Sequence, residues 1–331
     1  MSNSSPWDTI KIPAANDYVA TRLVEGCKPD GQVAAFWAKT CEGHNALLIR
    51  YPYLSKDDPL PTMRAIKILK MVDEQSGTRS ILIELMDDAI LRPFLKLSED
   101  IIDAVDKARP REVCVHVRIR LEIWRYMLSL SSGSLEKSEQ KGLIAELRFL
   151  REVCLKVMPA EKAVKAWTGP LGSPRDYSFG RLYVEVKSNR GTINPKIKIS
   201  SEMQLAVQPP EELYLCVLGL EEAPNGTINL ADEVKQTRDA IGDDYLAIEE
   251  LALRLAAVGY SDEVDYAVVT WDITSEASYQ VTEGFPRITS SNLTPGVSEV
   301  KYSIDQSKCE PFKVELSSVE QAIGECNGRT V

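Results

Sequence analysis

Arg175-Asp176-Tyr177-Ser178-Phe179-Gly180-Arg181-Leu182-Tyr183-Val184-Glu185-Val186-Lys187 reads as a tight β-hairpin. Gly180 and Arg181 supply a two-residue turn with glycine first, as a type II′ turn requires. Such a turn pairs Ser178 with Tyr183 and sets Asp176 opposite Glu185. Opposite residues of a hairpin share a face, so two carboxylates stand side by side. Period-two alternation puts Tyr183, Glu185 and Lys187 on that face and Leu182, Val184 and Val186 on the other. Like charges in this position are destabilising. A divalent cation bound by both carboxylates offsets that cost, with Lys187 as a neighbouring positive charge. Glu185 and Lys187 alone also fit the solvent face of an edge strand. The register of Asp176 and a third carboxylate, Glu146, favour the cation.

Glu146 lies in a stretch from about Gln140 to Val157 with helical spacing, where Leu143, Leu147, Leu150, Val153, Cys154 and Val157 form one stripe. At about 100° per residue, Glu146 projects inside that stripe. Carboxylates are rarely buried without a partner or a metal. The alternative is a place at the stripe's margin, paired with Arg148 or Lys141.

The chain has 331 residues and a net charge of −10, which at first disfavours nucleic acid as a partner. The distribution reverses that. Residues 141–200 carry +7, against −1 for residues 1–140 and −16 for 201–331. Arg148, Arg151, Lys156, Lys162, Lys165, Arg175, Arg181, Arg190, Lys196 and Lys198 thus surround the acidic cluster, either as a solvated basic face or as a footprint for phosphates. The acidic C-terminal part offers a surface for a basic protein partner. Seven cysteines without a C-x-x-C pair point to reduced thiols in a cytoplasm. No apolar run approaches the roughly 18 residues of a membrane span, and the first residues lack a signal pattern. Only His44 and His116 are present, against mechanisms that need several histidines. Both read as incidental.

The length favours about two domains. Strand-like runs at 45–50, 65–69 and 80–85, with a turn at 75–78, precede helical spacing over 91–105 and 111–130. These make residues 1–130 a β-rich, then helical, N-terminal domain. Ser129-Leu-Ser-Ser-Gly-Ser134 reads as the linker. A second domain, 135–331, reads as a helix at 135–158, a strand near 163–167, the hairpin 175–188, a helix from Ser201, a strand at 213–220 and helices near 229–241 and 244–258. Strands at 264–272, 278–282 and 297–304 extend it. In Ser201-x-x-Gln204, the glutamine suits a capping box as well as a DNA contact. Arg287 and Trp167 read as structural.

The order and spacing of these segments resemble the PD-(D/E)XK nuclease superfamily, whose acid-bearing helix precedes two strands carrying D…(D/E)-x-K. More narrowly, the chain is similar to the bacterial "PD-(D/E)XK motif protein" family, encoded beside phage-defence genes. The matching residues are Gly142-Leu143-x-x-Glu146-Leu147, Trp167-x-Gly169-Pro170, Asp176, Glu185-Val186-Lys187-Ser188, Ile199-Ser200-Ser201-Glu202-x-Gln204-Leu205, Leu213-Tyr214-Leu215, Phe285-Pro286-Arg287-Ile288-Thr289 and Pro295-Gly296-Val297. They span roughly 140–305. One departure is Pro174, displaced so that Arg175 precedes Asp176.

The resemblance implies an α/β (α+β) fold with a restriction-endonuclease-like core, a central mixed sheet flanked by helices. It implies Mg2+-dependent cleavage of DNA, with Mn2+ as a substitute ion. Glu146, Asp176, Glu185 and Lys187 are the expected catalytic residues. Asp176, Glu185, the Val186 carbonyl and Glu146 are the expected metal ligands, and Lys162, Lys165, Arg190, Lys196, Lys198 and Gln204 are candidates for the DNA backbone. A possible homodimer, other defence-system proteins as partners, and a nuclease-fold scaffolding or DNA-binding subunit without activity of its own belong to the same set of expectations.

Overall fold

A computed structural model describes residues 5–14, 16–27, 33–53, 58–63, 65–73, 76–129, 134–191 and 195–328. Two compact units divide the chain, Met1–Ser129 and Leu130–Val331.

In the first unit, β1 (Val19–Leu23), β2 (Ala34–Thr40), β3 (Asn45–Pro52), β4 (Ile66–Asp73) and β5 (Thr78–Leu85) form an antiparallel sheet in the order β1-β2-β3-β5-β4. Leu47, Ile49, Ile81 and Ile83 on one face pack with Phe94, Leu97 and Ile101 of α1 (Leu91–Lys107) and Val113, Val117 and Leu121 of α2 (Val113–Ser129). The helical residues recur at three- and four-residue intervals, as one buried helix face demands. Ala46, Leu48 and Leu82 point to the opposite sheet face with Phe36 and Ala38. Sequence reading gave no sign of β1 or β2. The latter is buried almost throughout and so shows no polar alternation.

The second unit holds α3 (Lys137–Phe149), a π-helical turn (Leu150–Cys154), α4 (Leu155–Val157), α5 (Ala160–Ala166), β6 (Tyr177–Phe179), β7 (Leu182–Asn189), β8 (Lys196–Ile199) and β9 (Glu212–Glu222). It continues with α6 (Leu230–Ile241), α7 (Tyr245–Ala257), β10 (Trp271–Gln280), β11 (Tyr302–Asp305), β12 (Lys313–Val314) and α8 (Leu316–Gly328). The main sheet runs β12-β10-β9-β7-β6; β7 and β9 are parallel and the other neighbours antiparallel. This is the mixed α/β core expected. A separate ladder joins β8 to β11.

Both faces of the central strands are covered. Leu182, Val184 and Val186 of β7, with Tyr214, Cys216 and Leu218 of β9, meet Leu143, Leu147 and Leu150 from the acid-bearing helix. Leu213, Leu215 and Val217 of β9 meet Ile197, Ile199 and Ile304 of the β8–β11 ladder. The parallel register sets Glu185 beside Leu215 and Lys187 beside Val217. The polar side of β7 therefore points into a second core rather than into solvent.

Several expected elements differ. Residues 163–167, expected as a strand, belong to α5 and its C-cap. Ala160-Glu-Lys-Ala-Val-Lys-Ala are mostly strong helix formers, and the buried Ala163, Val164 and Ala166 are the apolar run that resembled a strand. The helix expected from Ser201 is one hydrogen-bonded turn. The helix cannot extend because Pro209 and Pro210, four residues beyond Leu205 and Ala206, have no N–H to donate; those carbonyls accept from arginines instead, Arg287 Nη1 to Leu205 O at 2.8 Å and Arg175 Nη2 to Ala206 O. Residues 264–270, expected as strand, form turns; strand begins at Trp271 and runs through Gln280 as β10, which takes in the start of the segment expected at 278–282, and 297–304 shortens to β11. The α8 helix was not foreseen. The turn expected at 75–78 is present at Ser76 and Gly77, the latter with φ 65°, whereas Gln75 and residues 130–133 of the linker lie outside the described residues.

Candidate active site

The β6–β7 turn takes the expected form. Gly180 has φ 76°, and Ser178 pairs with Tyr183. The ladder closes at Tyr177↔Val184, so Asp176 is not a ladder partner of Glu185. The main chain explains this. Asp176 O accepts hydrogen bonds from Thr168 N at 2.8 Å and Gly169 N at 3.0 Å, which ties it to the preceding turn. Its carboxylate still reaches β7, where Oδ2 accepts from Val186 N at 2.8 Å. Gly169 makes this possible: a Cβ there would lie 2.9 Å from Asp176 Oδ1 and 3.1 Å from its Cα.

Glu185 is fully buried. Neither carboxylate oxygen has a hydrogen bond among the described residues, although Lys187 Nζ lies 2.5 Å from Oε1. The two share a strand face two residues apart, which sets the ammonium beside the carboxylate as an ion pair. Burial, then the charge of Asp176, pushes the Glu185 carboxyl up to about 8 against the pull of Lys187. Burial also raises Asp176, opposed by Lys187 and the Val186 amide. For Lys187 burial favours the neutral form, but Glu185 and Asp176 outweigh it and the net shift is upward.

Glu146 arrives from α3. Its Oε2 accepts from Trp167 Nε1 at 2.7 Å, and its carbonyl accepts from Tyr177 Oη at 2.8 Å. Arg148 and Lys141, the partners weighed for it, are engaged elsewhere: Arg148 Nε is 3.5 Å from Glu276, and Lys141 donates to Asn189 O at 3.0 Å. The residue keeps some accessible surface, yet the carboxyl is enclosed enough that burial, and then Asp176, raise it well above its ordinary value. Trp167 is held in turn by Arg254, whose Nε donates to Trp167 O at 2.7 Å and whose Nη1 lies 2.6 Å from Glu250. Arg254 sits 87 residues from Trp167 in sequence, and no local pattern announces the contact.

Three carboxyl groups thus converge with one lysine, and each of the three is held above its usual range. Such a group is short of positive charge and of hydrogen-bond donors. Two unfilled oxygens on a fully buried glutamate, and ligands that are all oxygen, fit a hard dication such as Mg2+ or Mn2+.

The basic residues divide. Arg148, Arg151, Lys156, Lys165 and Arg175 pair with Glu276, Glu233, Glu152, Glu161 and Glu211. Lys162 donates to Asn327 at 3.1 Å. Three of these acids, Glu276, Glu233 and Glu211, lie outside the window and offset part of the +7. Lys196 lies opposite Asp305 on the β8–β11 ladder. Gln204 Oε1 accepts from Ser200 N at 2.8 Å, the local turn role. Arg190 and Lys198 gather with Lys141, whose ammonium is held below its ordinary value by burial and by those two charges. Lys141 sits five residues before Glu146, and Asn189, its partner, two after Lys187. This basic cluster therefore lies one step beyond the carboxyl group along both α3 and β7.

Residues 3–307 match a family model described as "Putative PD-(D/E)XK family member" (DUF4420). The chain belongs to this family. Its core is accordingly the restriction-endonuclease-like one that the helix, hairpin and parallel strand implied. No curated protein and no solved structure matches the chain. Among the described residues, no helix is long and apolar enough to cross a membrane.

Proposed function

We propose that this PD-(D/E)XK family member is a divalent-cation-dependent endonuclease that hydrolyses DNA phosphodiesters, with 135–331 as its catalytic domain and 1–130 as a separate N-terminal domain. The observation that carries the reading is Glu185: fully buried, hydrogen-bonded through neither oxygen among the described residues, and next to both Lys187 and the charge of Asp176. Asp176 and Glu185 hold the ion, with the Val186 carbonyl and Glu146 completing the set. Mg2+, or Mn2+ in its place, polarises the scissile phosphate and acidifies a bound water when present. Lys187 places its charge where negative charge grows on the phosphate. The Val186 amide and the 167–169 turn keep Asp176 in place, and the Trp167 indole keeps Glu146 in place. Lys141, Arg190 and Lys198 take the phosphates that flank the scissile one, a contact that fixes position but reads no sequence.

Its setting in this reading is the cytoplasm, where its seven cysteines stay reduced, and bacterial anti-phage defence, with DNA and other defence proteins as partners and a homodimer as its assembly. Cleavage of supercoiled and linear DNA tests it. Mg2+-dependent cutting, absent with chelator and in Glu185→Ala, is the expected result. A protein that binds DNA yet cuts none with Mg2+ or Mn2+ supports the other reading, a nuclease-fold binding or scaffolding subunit. The pairing of so many basic residues with acids thins the phosphate footprint, which within that second reading favours a scaffolding role over a DNA-binding one.

A further inference from the structure

A second ligand cluster lies wholly within the first unit and shares no residue with the site assigned above. The β2–β3 hairpin turns through Cys41-Glu42-Gly43-His44. Gly43 has φ 88°, in the left-handed region glycine favours. Its amide donates to Thr40 O at 2.9 Å, while Thr40 N donates to His44 O at 3.1 Å and His44 N to Thr40 Oγ1 at 3.2 Å. The turn is thereby fixed, and it presents Glu42 and His44 on one side. Register does the rest. Ala46, two residues after His44 and on the same face, pairs directly with Glu84 of β5. Its methyl group leaves room for the imidazole and the carboxylate to meet. His44 Nδ1 lies 2.9 Å from Glu84 Oε1 and 3.6 Å from Glu42 Oε2, and one ligand atom from each of the three lies within 4.8 Å of the others.

We propose that Glu42, His44 and Glu84 bind a transition-metal dication, Zn2+ first among them. A tetrahedral zinc ion with bonds of about 2.0–2.1 Å spaces its ligands about 3.3 Å apart, and the two imidazole distances bracket that spacing. Glu84 supplies an independent sign of a missing ligand. Its side chain is 1% exposed, and its second oxygen, Oε2, has no hydrogen bond among the described residues. Burying a carboxylate oxygen without a donor is costly. Lys67, paired with Glu84 across β4–β5, brings its ammonium only to 3.5 Å of that oxygen. It balances charge at that distance, and it competes with any cation that enters. Glu42 is 65% exposed and His44 31%, so the ion enters from solvent onto a buried floor. One imidazole nitrogen with two carboxylates suits zinc or its first-row neighbours, whereas Mg2+ and Ca2+ favour oxygen alone. His44 is then a ligand and not incidental.

Zinc uptake by the full-length chain tests this, measured by equilibrium dialysis and elemental analysis in an Asp176→Ala/Glu185→Ala background that removes the other cation site. One equivalent of Zn2+ is expected there, lost in the added His44→Ala and weakened at least tenfold by Glu42→Gln. Co2+ in place of Zn2+ should give visible absorption that His44→Ala abolishes. Lys67→Met should tighten binding by about fivefold, since it removes a like charge near the ion. Glu42 is exposed, so its variant tests the site even if the histidine variant fails to fold. Zinc uptake indifferent to both His44→Ala and Glu42→Gln would show binding at thiols instead and overturn the proposal. No uptake in the Asp176→Ala/Glu185→Ala protein would do the same.

Discussion

Lys187 Nζ stands 2.5 Å from Glu185 Oε1 on the inner face of β7, and neither oxygen of that fully buried carboxylate has a hydrogen bond among the described residues. The pair is a close ion pair within the core. Burial, and then the charge of Asp176, nevertheless push the carboxyl up to about 8, so the lysine offsets them only in part.

That imbalance sets a pH dependence for the metal-free protein. Glu185 binds its proton more tightly folded, near 8, than unfolded, near 4.5. Its contribution is present in full below about 4.5 and is lost as pH rises through about 8. Asp176 and Glu146 shift in the same direction. Stability in chelator should fall between those pH values, by up to roughly 1.4 kcal/mol per pH unit for each proton released. Thermal melts across this range check it: Glu185→Gln should flatten the slope, and saturating Mg2+ should flatten it in the parent protein. A melting temperature that rises over the same range would contradict the sign.

Asp176→Ala, Glu185→Ala and Lys187→Ala should each lower plasmid cleavage by at least about a hundredfold. Groups acting as one unit lose activity non-additively, so the Asp176→Ala/Glu185→Ala double variant should be little worse than either single one. Wild-type cutting by that double variant would mean the site lies elsewhere.

Trp167→Phe removes the indole N–H that holds Glu146 Oε2 at 2.7 Å while keeping an aromatic ring. A freed Glu146 should raise the Mg2+ concentration needed for half-maximal cleavage several-fold, with a smaller loss at saturation. A merely structural tryptophan would lower the melting temperature and leave the Mg2+ dependence unchanged.

Gly169→Ala forces a Cβ to within 2.9 Å of Asp176 Oδ1 and 3.1 Å of its backbone. Because one of those atoms is main chain, the turn must move. A destabilisation of about 1–3 kcal/mol, together with weaker Mg2+ binding by calorimetry, is expected. Parent-like values for both would show that the turn yields freely.

DNA affinity should separate the basic residues by their partners. Lys162 and Lys165 are engaged by Asn327 and Glu161, so their alanine variants should change binding little. Arg190→Ala and Lys198→Ala should weaken binding to all sequences alike and reduce the salt slope by about one each. Titrations by fluorescence anisotropy at several salt concentrations distinguish the two groups, and equal effects at all four positions would contradict the assignment.

By itself the sequence determined the local pieces of this site. Two-residue periodicity and a leading glycine were enough for the hairpin register Ser178↔Tyr183. Helical periodicity was enough to place Glu146 on the buried side of a helix. Both signals are local, because turn geometry and side-chain direction repeat over a few residues. Only the tertiary structure decided the rest. The β8–β11 ladder encloses Glu185, and distant acids such as Glu276 and Glu233 neutralise basic residues that are crowded together in sequence. Arg254 steadies Trp167 from 87 residues away, and β3 and β5 bring His44 to Glu84 across 40. Desolvation and ion pairing depend on which chain segments meet in space, and a pattern along one segment carries no record of that meeting.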